Sequence, residues 1–339
     1  MTRIILSTGY AIDPSTPALS AFVMLTAEIR NIVSGGPSII RKPGTFRSNL
    51  ELTNSLRRNF LAAQQDYAAA LQNGNGNGHH VNAEGEIEHN DRPATDIWTA
   101  QEGSTLYVPR IDWSVAGLQE ERPQYEITVK LFYLPTASAD ARLEYTKRAL
   151  DLVKRELRVG DIDLLIVSFP GISFEGDCEW EADKINATMG NEEEEVATWS
   201  ALEDLHRDGQ VGRLGIAEFG SAKLRRFLDR IKVRPAVDQI NVKNCCNVPP
   251  PLSKLARDEG IELLTHNDCT DILPSGTLRE LLGQGAQGAG VLADGESGGD
   301  GGLRGNLIPE WVVKYTAFVK DRGVIENKGY FAGAELVEA

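Results

Sequence analysis

Apolar positions along the chain recur at two periods in turn. In YEITVKLFYL (125–134), Ile127, Val129 and Leu131 alternate with Thr128 and Lys130, the two-residue period of a strand. SADARLEYTKRALDLVKREL (138–157) then brings Leu143, Ala149, Leu150, Val153 and Leu157 near helical spacing, and GDIDLLIVSFP reads as glycine stop, strand, proline stop. The unit repeats. From residue 195, Val196, Trp199, Leu202 and Leu205 share a helix face that ends at Gly209, before the short strand RLGIAEF. Ser221 is placed to cap the helix AKLRRFLDR. RPAVDQINV is a strand, PLSKLARDEG a helix ending at Gly260, and IELLTH (261–266) a strand. Further on, Trp311 and Tyr315 lie four apart in PEWVVKYTAFVK, which predicts one helix face, buried in the core, with an interface as the alternative.

Strands alternating with helices of this length imply right-handed crossovers and a parallel sheet. So many successive units favour a (β/α)8 TIM barrel, read as a single domain over 1–339. A Rossmann-like open sheet stays as the alternative, but no GxGxxG opens a helix after any strand. In a barrel the chemistry sits where strands end. That address holds Phe169, Ala217, Glu218, the residues after Val242, and His266.

Three stretches break the pattern: 71–93, rich in Asn and Gly; 175–195, strongly acidic; and 283–306, rich in Gly. All three are predicted to be flexible loop insertions. The glycine run is not a phosphate cradle, because no strand leads into it and no GK[ST] follows. Glu192 to Glu195 read as a solvated loop entering the first turn of a helix, where carboxylates suit the dipole; steering of a basic partner is the alternative.

Composition narrows the function classes. With 41% hydrophobic and 25% charged residues the chain is globular. A formal net charge of −14 repels phosphate backbones and anionic lipid, so nucleic acid is excluded as a partner. No apolar stretch is long enough for a bilayer, and MTRIILSTGYAID is too short in its apolar run for a signal peptide, so the expected location is cytoplasmic. Cys178, Cys245, Cys246 and Cys269 make neither a disulfide framework nor a zinc motif, and are expected to be thiols, with no metal bound. Cys245 and Cys246 are adjacent, where a strand gives way to Pro249, Pro250 and Pro251. They are either contacts for a partner, redox-sensitive between subunits, or small buried hydrophobes under a stiffened loop. His266 is a candidate pH sensor or, more plainly, a histidine bonded to its own loop.

Three blocks carry a resemblance: DQINVKNCCNVPPPLSKLARDEGIELLTHND (238–268), IPEWVVKYTAFVKDRGVIENKGY (308–330), and VGRLGIAEF with its flanking helices. Through them the chain resembles the regulatory (modifier) subunits of glutamate-cysteine ligase, relatives of the aldo-keto reductases, over about residues 125–330. The resemblance implies an aldo-keto reductase type barrel in which the reductase tetrad is incomplete. The tetrad Lys matches Lys130, Ser168 stands where the His falls, and no Asp-x-Ala-x-x-Tyr motif is found near the start. The Ser-Asn pair that grips nicotinamide aligns with Ala217 and Glu218; Gln239 is kept, and His266 stands near the stacking aromatic. Lys130, Gln239 and His266 are thus expected to be vestigial, with no cofactor and room for no more than weak NADPH binding. The implied role is non-catalytic: a cytoplasmic heterodimer with the ligase catalytic subunit, raising its glutamate affinity and relieving glutathione feedback inhibition. An NADPH-dependent reductase acting on a carbonyl substrate is the alternative.

Overall fold

The computed structural model describes residues 2–9, 48–72, 92–175, 177–241, 248–269, 271–274, 276–293 and 302–337. Among them run ten strands: β1 (Thr2–Ser7), β2 (Ala100–Glu102), β3 (Thr105–Val108), β4 (Tyr125–Tyr133), β5 (Ile162–Ser168), β6 (Val211–Ala217), β7 (Val237–Asn241), β8 (Glu262–His266), β9 (Asn306–Val319) and β10 (Val324–Val337). The helices are α1 (Ser48–Gln72), α2 (Thr95–Trp98), α3 (Arg142–Leu157), α4 (Glu179–Asn186), α5 (Glu192–Arg207), α6 (Ser221–Leu228), α7 (Pro250–Glu259) and α8 (Thr277–Leu282).

All ten strands form one sheet in the order β2-β3-β1-β10-β9-β4-β5-β6-β7-β8. From β4 to β8 every neighbouring pair is parallel and joined through helices, which is the α/β alternation that the hydrophobic periods predict. The other half is built differently. The antiparallel hairpin β9–β10 lies between β4 and β1, and β1 pairs in parallel with β3.

The hairpin corrects the expected helix at Trp311 and Tyr315. A spacing of four keeps two residues on one side of a strand as well as of a helix, so that pair alone cannot distinguish the two periods. Val313, Ala317 and Val319 occupy the intervening and following alternate positions and are buried with them, whereas Lys314, Thr316 and Phe318 are only half-buried. Opposite them β10 carries glycine: Gly329 is in register with Tyr315, and Gly333 with Trp311. A Cβ at Gly333 would collide with the Trp311 indole, and one at Gly329 would lie 2.6 Å from the Tyr315 hydroxyl.

Two large cores and a small cluster of Leu164, Ile166, Ala217 and Val237 cover the sheet. On one face Ile127, Val129, Leu131 and Tyr133 pack under Leu150 and Val153 of α3 and Trp199 and Leu202 of α5. On the other, Leu52, Leu56 and Phe60 of α1 cover Ile4, Leu6, Val312 and Phe132.

The expected flexible insertions divide. Residues 73–91 of the first lie outside the described residues, as do 294–301 of the third, while Thr277–Leu282 and the segment to 293 pack into the second core. The second stretch, 175–195, is not a peripheral loop: it contains α4 and the start of α5, and Asp183, Asn186 and Glu195 are buried. These polar residues are buried because each is bonded. Asn186 Nδ2 donates to the carbonyls of Ser173 and Glu218, and its Oδ1 accepts from Gly220 N. Asp183 accepts from both Ser221 N (2.6 Å) and Ser221 Oγ (2.5 Å). Ser221 is therefore the first residue of α6 rather than its cap; Gly220 precedes the helix and Asp183 supplies the anionic acceptor from 38 residues upstream.

The four consecutive glutamates open α5 behind the N-cap Asn191, whose side chain accepts from Glu193 N and Glu194 N. They pair within the chain, Glu192 with Arg226, Glu193 with Arg230, Glu194 with Arg142 and Glu195 with Lys223. Of these only Lys223–Glu195 is fully buried, at 2.7 Å. The partner-steering reading loses its basis, since each carboxylate already has a cation.

Candidate functional site

Register puts one polar row across the second face of the sheet. Lys130 of β4 is opposite Lys314 of β9, and Asn241 of β7 is opposite His266 of β8. Gln239 lies on the same row system, opposite Ala217 and Leu264.

Asp268, two residues beyond β8, binds this row together. Its Oδ2 accepts from Lys130 Nζ at 2.8 Å, and its Oδ1 from Lys314 Nζ at 3.0 Å. Its carbonyl accepts from Asn241 Nδ2 at 3.0 Å. Burial alone would raise the Asp268 carboxyl, but the two ammonium groups hold it well below the usual carboxylate range. Burial is also what pulls Lys130 below the ordinary lysine value, with Asp268 opposing.

His266 joins this pair to Glu218. Asp268 N donates to His266 Nδ1 at 3.0 Å, so the neutral ring carries its proton on Nε2, which lies 2.7 Å from Glu218 Oε1. Glu218 Oε2 accepts from Asn241 N at 3.3 Å. Lys130, Lys314, Asp268 and Glu218 place two cationic and two anionic side chains around the imidazole.

The backbone at Glu218 is unusual. Its φ of 67° is left-handed, a conformation that costs a residue bearing a Cβ. It is held on both sides: Glu218 N donates to Gln239 O at 2.8 Å, and Glu218 O accepts from Asn186. Beneath it, Asp238 is fully buried with one oxygen taking a long bond from Phe219 N and the other unpaired. Burial pushes this carboxyl well above its ordinary value.

The sequence-predicted residues fall into two groups. Lys130 and His266 meet in the Asp268 network, Ala217 ends β6 with Glu218 following it, and Gln239 lies close by. Phe169 instead packs in the first core against Tyr133 and Phe219. Cys245 and Cys246 lie outside the described residues; Cys178 is exposed, and Cys269 donates to Asn49 Oδ1 at 3.4 Å. His266, as the plainer reading held, bonds to its own loop.

Sequence reasoning missed Asp268, Lys314 and Asn241. Lys314 was hidden by the helical reading of its segment, in which it has no relation to Lys130. The signal for Asp268 was available in the motif THND, two residues past a strand-end histidine.

Carbonyl reduction needs a phenol beside the lysine that tunes it. No described tyrosine hydroxyl is bonded to Lys130; Tyr330, whose ring lies 5.9 Å from Lys314 Nζ, donates a hydrogen bond to Glu51 Oε2 at 3.2 Å. As a grip for a nicotinamide, Gln239 offers a buried Oε1 without a partner, a fit for a carboxamide N–H. The rest of the row does not fit: both lysines are taken up by Asp268, and the imidazole accepts from Asp268 N through Nδ1 while its Nε2 lies against Glu218 Oε1 at 2.7 Å without hydrogen-bond geometry. Among the described residues no group of three His, Cys, Asp or Glu is placed to hold a metal, and no helix is long and apolar enough to cross a membrane.

Comparison with known proteins gives a consistent set of likenesses. The model of the Aldo/keto reductase family matches residues 113–286. The glutamate–cysteine ligase regulatory subunit of Mus musculus is 27% identical over 216 residues, covering 64% of this chain and 68% of that protein. The putative glutamate–cysteine ligase regulatory subunit of Schizosaccharomyces pombe is 27% identical over 230 residues, covering 66% and 74%. Deoxymugineic acid synthase 1-B of Triticum aestivum is 26% identical over 179 residues, covering 49% and 53%. Among solved structures, an aldo/keto reductase from Brucella melitensis aligns at a TM-score of 0.33 and 18% identity, over 51% of this chain and 58% of that one. An aldo-keto reductase from a deep-sea metagenome library aligns at 0.32 and 20%, over 49% and 50%, so that the chain spans about half of each.

Proposed function

Because the chain belongs to the aldo/keto reductase family, a family of (β/α)8 barrels, yet carries its family lysine inside a closed ion network, we propose that it is a regulatory subunit of glutamate-cysteine ligase rather than a reductase. The observation that carries this reading is the similarity over 216 residues to proteins named as that regulatory subunit. The site chemistry supports it. Lys130 is neutralised by Asp268 instead of being offered to a phenol, and Ser168 stands where the tetrad histidine falls. Tight NADPH binding and carbonyl reduction are accordingly not expected.

The partner is the ligase catalytic subunit, and the complex is a heterodimer. Regulation then means that this chain binds one conformation of the catalytic subunit better than another. The same free energy, about 1 to 3 kcal/mol for a several-fold effect, must raise the affinity for glutamate or weaken glutathione inhibition. The network has a place in this scheme. Asn241, the last described residue before the Cys245–Cys246 segment, is tied through its N–H to Glu218 and through its side chain to Asp268. The stem of that segment is thereby fixed to the sheet, and a firm stem suits a contact surface.

Sedimentation of this chain with a ligase catalytic subunit tests the association. The reading expects a one-to-one complex; two independent species, together with NADPH-dependent loss of a carbonyl substrate, would favour the reductase alternative.

A further inference from the structure

A cleft of about 140 Å³ lies away from the ion network, between α1 and the loop after α8. Arg57, Phe60, Leu61 and Gln64 of α1 form one wall, and Arg92 with residues 286–289 forms the other. The walls are built. Gln64 Nε2 donates to Ala289 O at 2.7 Å, Arg92 donates to the carbonyls of Gln284, Gly285 and Ala286, and Gln284 Nε2 donates to Gly290 O and Leu292 O. Gly288 turns the loop where a Cβ would strike the Gly283 carbonyl.

Arg57 is the exception within this bonded frame. Its Nε is buried with no partner, and none of the described residues forms a hydrogen bond or ion pair with it. The chain holds 49 Asp and Glu against 35 Lys and Arg, and Arg122, Arg142, Arg226 and Arg230 each have a carboxylate. A guanidinium that lines a cleft without a counter-ion is best met by a carboxylate, which binds the planar group with two parallel bonds.

We propose that this cleft binds a small organic carboxylate, with its carboxylate on Arg57 and its apolar body against Phe60 and Leu61. The volume is close to that of the cavity of roughly 150 Å³ that admits benzene. Phe60 and Leu61 favour an organic acid over inorganic phosphate, which would leave that apolar wall uncovered.

Isothermal titration of the full chain with sodium benzoate at low salt tests the proposal, with benzamide and inorganic phosphate as comparison ligands. Expected is saturable one-site benzoate binding, weakened at least tenfold by Arg57→Gln, abolished by the cleft-filling Leu61→Trp, and reproduced by neither benzamide nor phosphate. Each variant is first compared with the wild type by thermal melting; if Arg57→Gln does not fold, Leu61→Trp carries the test. Absence of saturable benzoate binding, binding unchanged in a folded Arg57→Gln or, failing that, in Leu61→Trp, or equal competition by phosphate would overturn it.

Discussion

Replacing Asp268 by Asn removes the one charge shared by two lysines. The Asp268 side chain is 9% exposed and that of Lys130 6%, so after the change the Lys130 ammonium is left in a buried place without its counter-ion. Breaking a buried pair from one side costs about 3–5 kcal/mol. Lys314→Met is the contrasting case: its side chain is 32% exposed, the Lys130–Asp268 pair survives, and the loss should stay below about 1 kcal/mol. Urea unfolding of wild type and both variants measures the difference, with an unchanged denaturant slope as the sign that the compared states are the same. The pH dependence has a definite sign. A carboxylate with a depressed folded pKa contributes stability that is fully present above its unfolded value, about 3.9, and is lost as pH falls toward the folded value. The gap between wild type and Asp268→Asn should therefore be widest near neutrality and shrink below about pH 4. A gap under about 1 kcal/mol at pH 7, or one that widens in acid, would refute the reasoning.

Asp238 should show the opposite sign. Its pKa is raised by burial, so its contribution is complete below about pH 3.9 and is lost as pH rises from there toward the folded value; Asp238→Asn should flatten that limb in a pH series of unfolding free energies. Asn186→Ala leaves two carbonyls and the Gly220 N–H unpaired, at about 1–3 kcal/mol for each group that stays dry, and should lower the melting temperature more than substitution of any exposed residue of α4. Gly333→Ala drives a methyl group into the Trp311 indole and should cost about 1–3 kcal/mol by thermal melting, whereas the exposed Gly103, at a turn with φ of 59° and open space around it, tolerates the added volume and shows only the conformational cost.

Where local pattern and burial agree, the fold was legible. The strands β4 to β7 are largely buried, and an amphipathic helix follows each of them, so period and length identify these elements. The hairpin β9–β10 was misread because Trp311 and Tyr315 fit either period, and the deciding partners, Gly329 and Gly333, lie on the other strand. The acidic stretch 175–195 was misread for a related reason. Composition treats Asp183, Asn186 and Glu195 as solvated, but their partners are backbone groups and a lysine up to 38 residues away, and bonding of that range leaves no trace in a window of sequence. In the site, the strand-end address located Glu218 and His266, and the family resemblance located Lys130 and Gln239. Lys314 was not found because it meets Lys130 only through sheet register, and Asp268, just past β8, because the contact that makes it a partner, to Lys130, spans 138 residues of sequence.

The regulatory reading is tested most directly by the rate of a ligase catalytic subunit over a glutamate titration, with and without this protein, and repeated in the presence of glutathione. The account predicts a glutamate KM lowered several-fold, or inhibition by glutathione weakened to a similar degree, saturating at one equivalent of added protein. Identical KM and identical glutathione inhibition at saturating protein would contradict it.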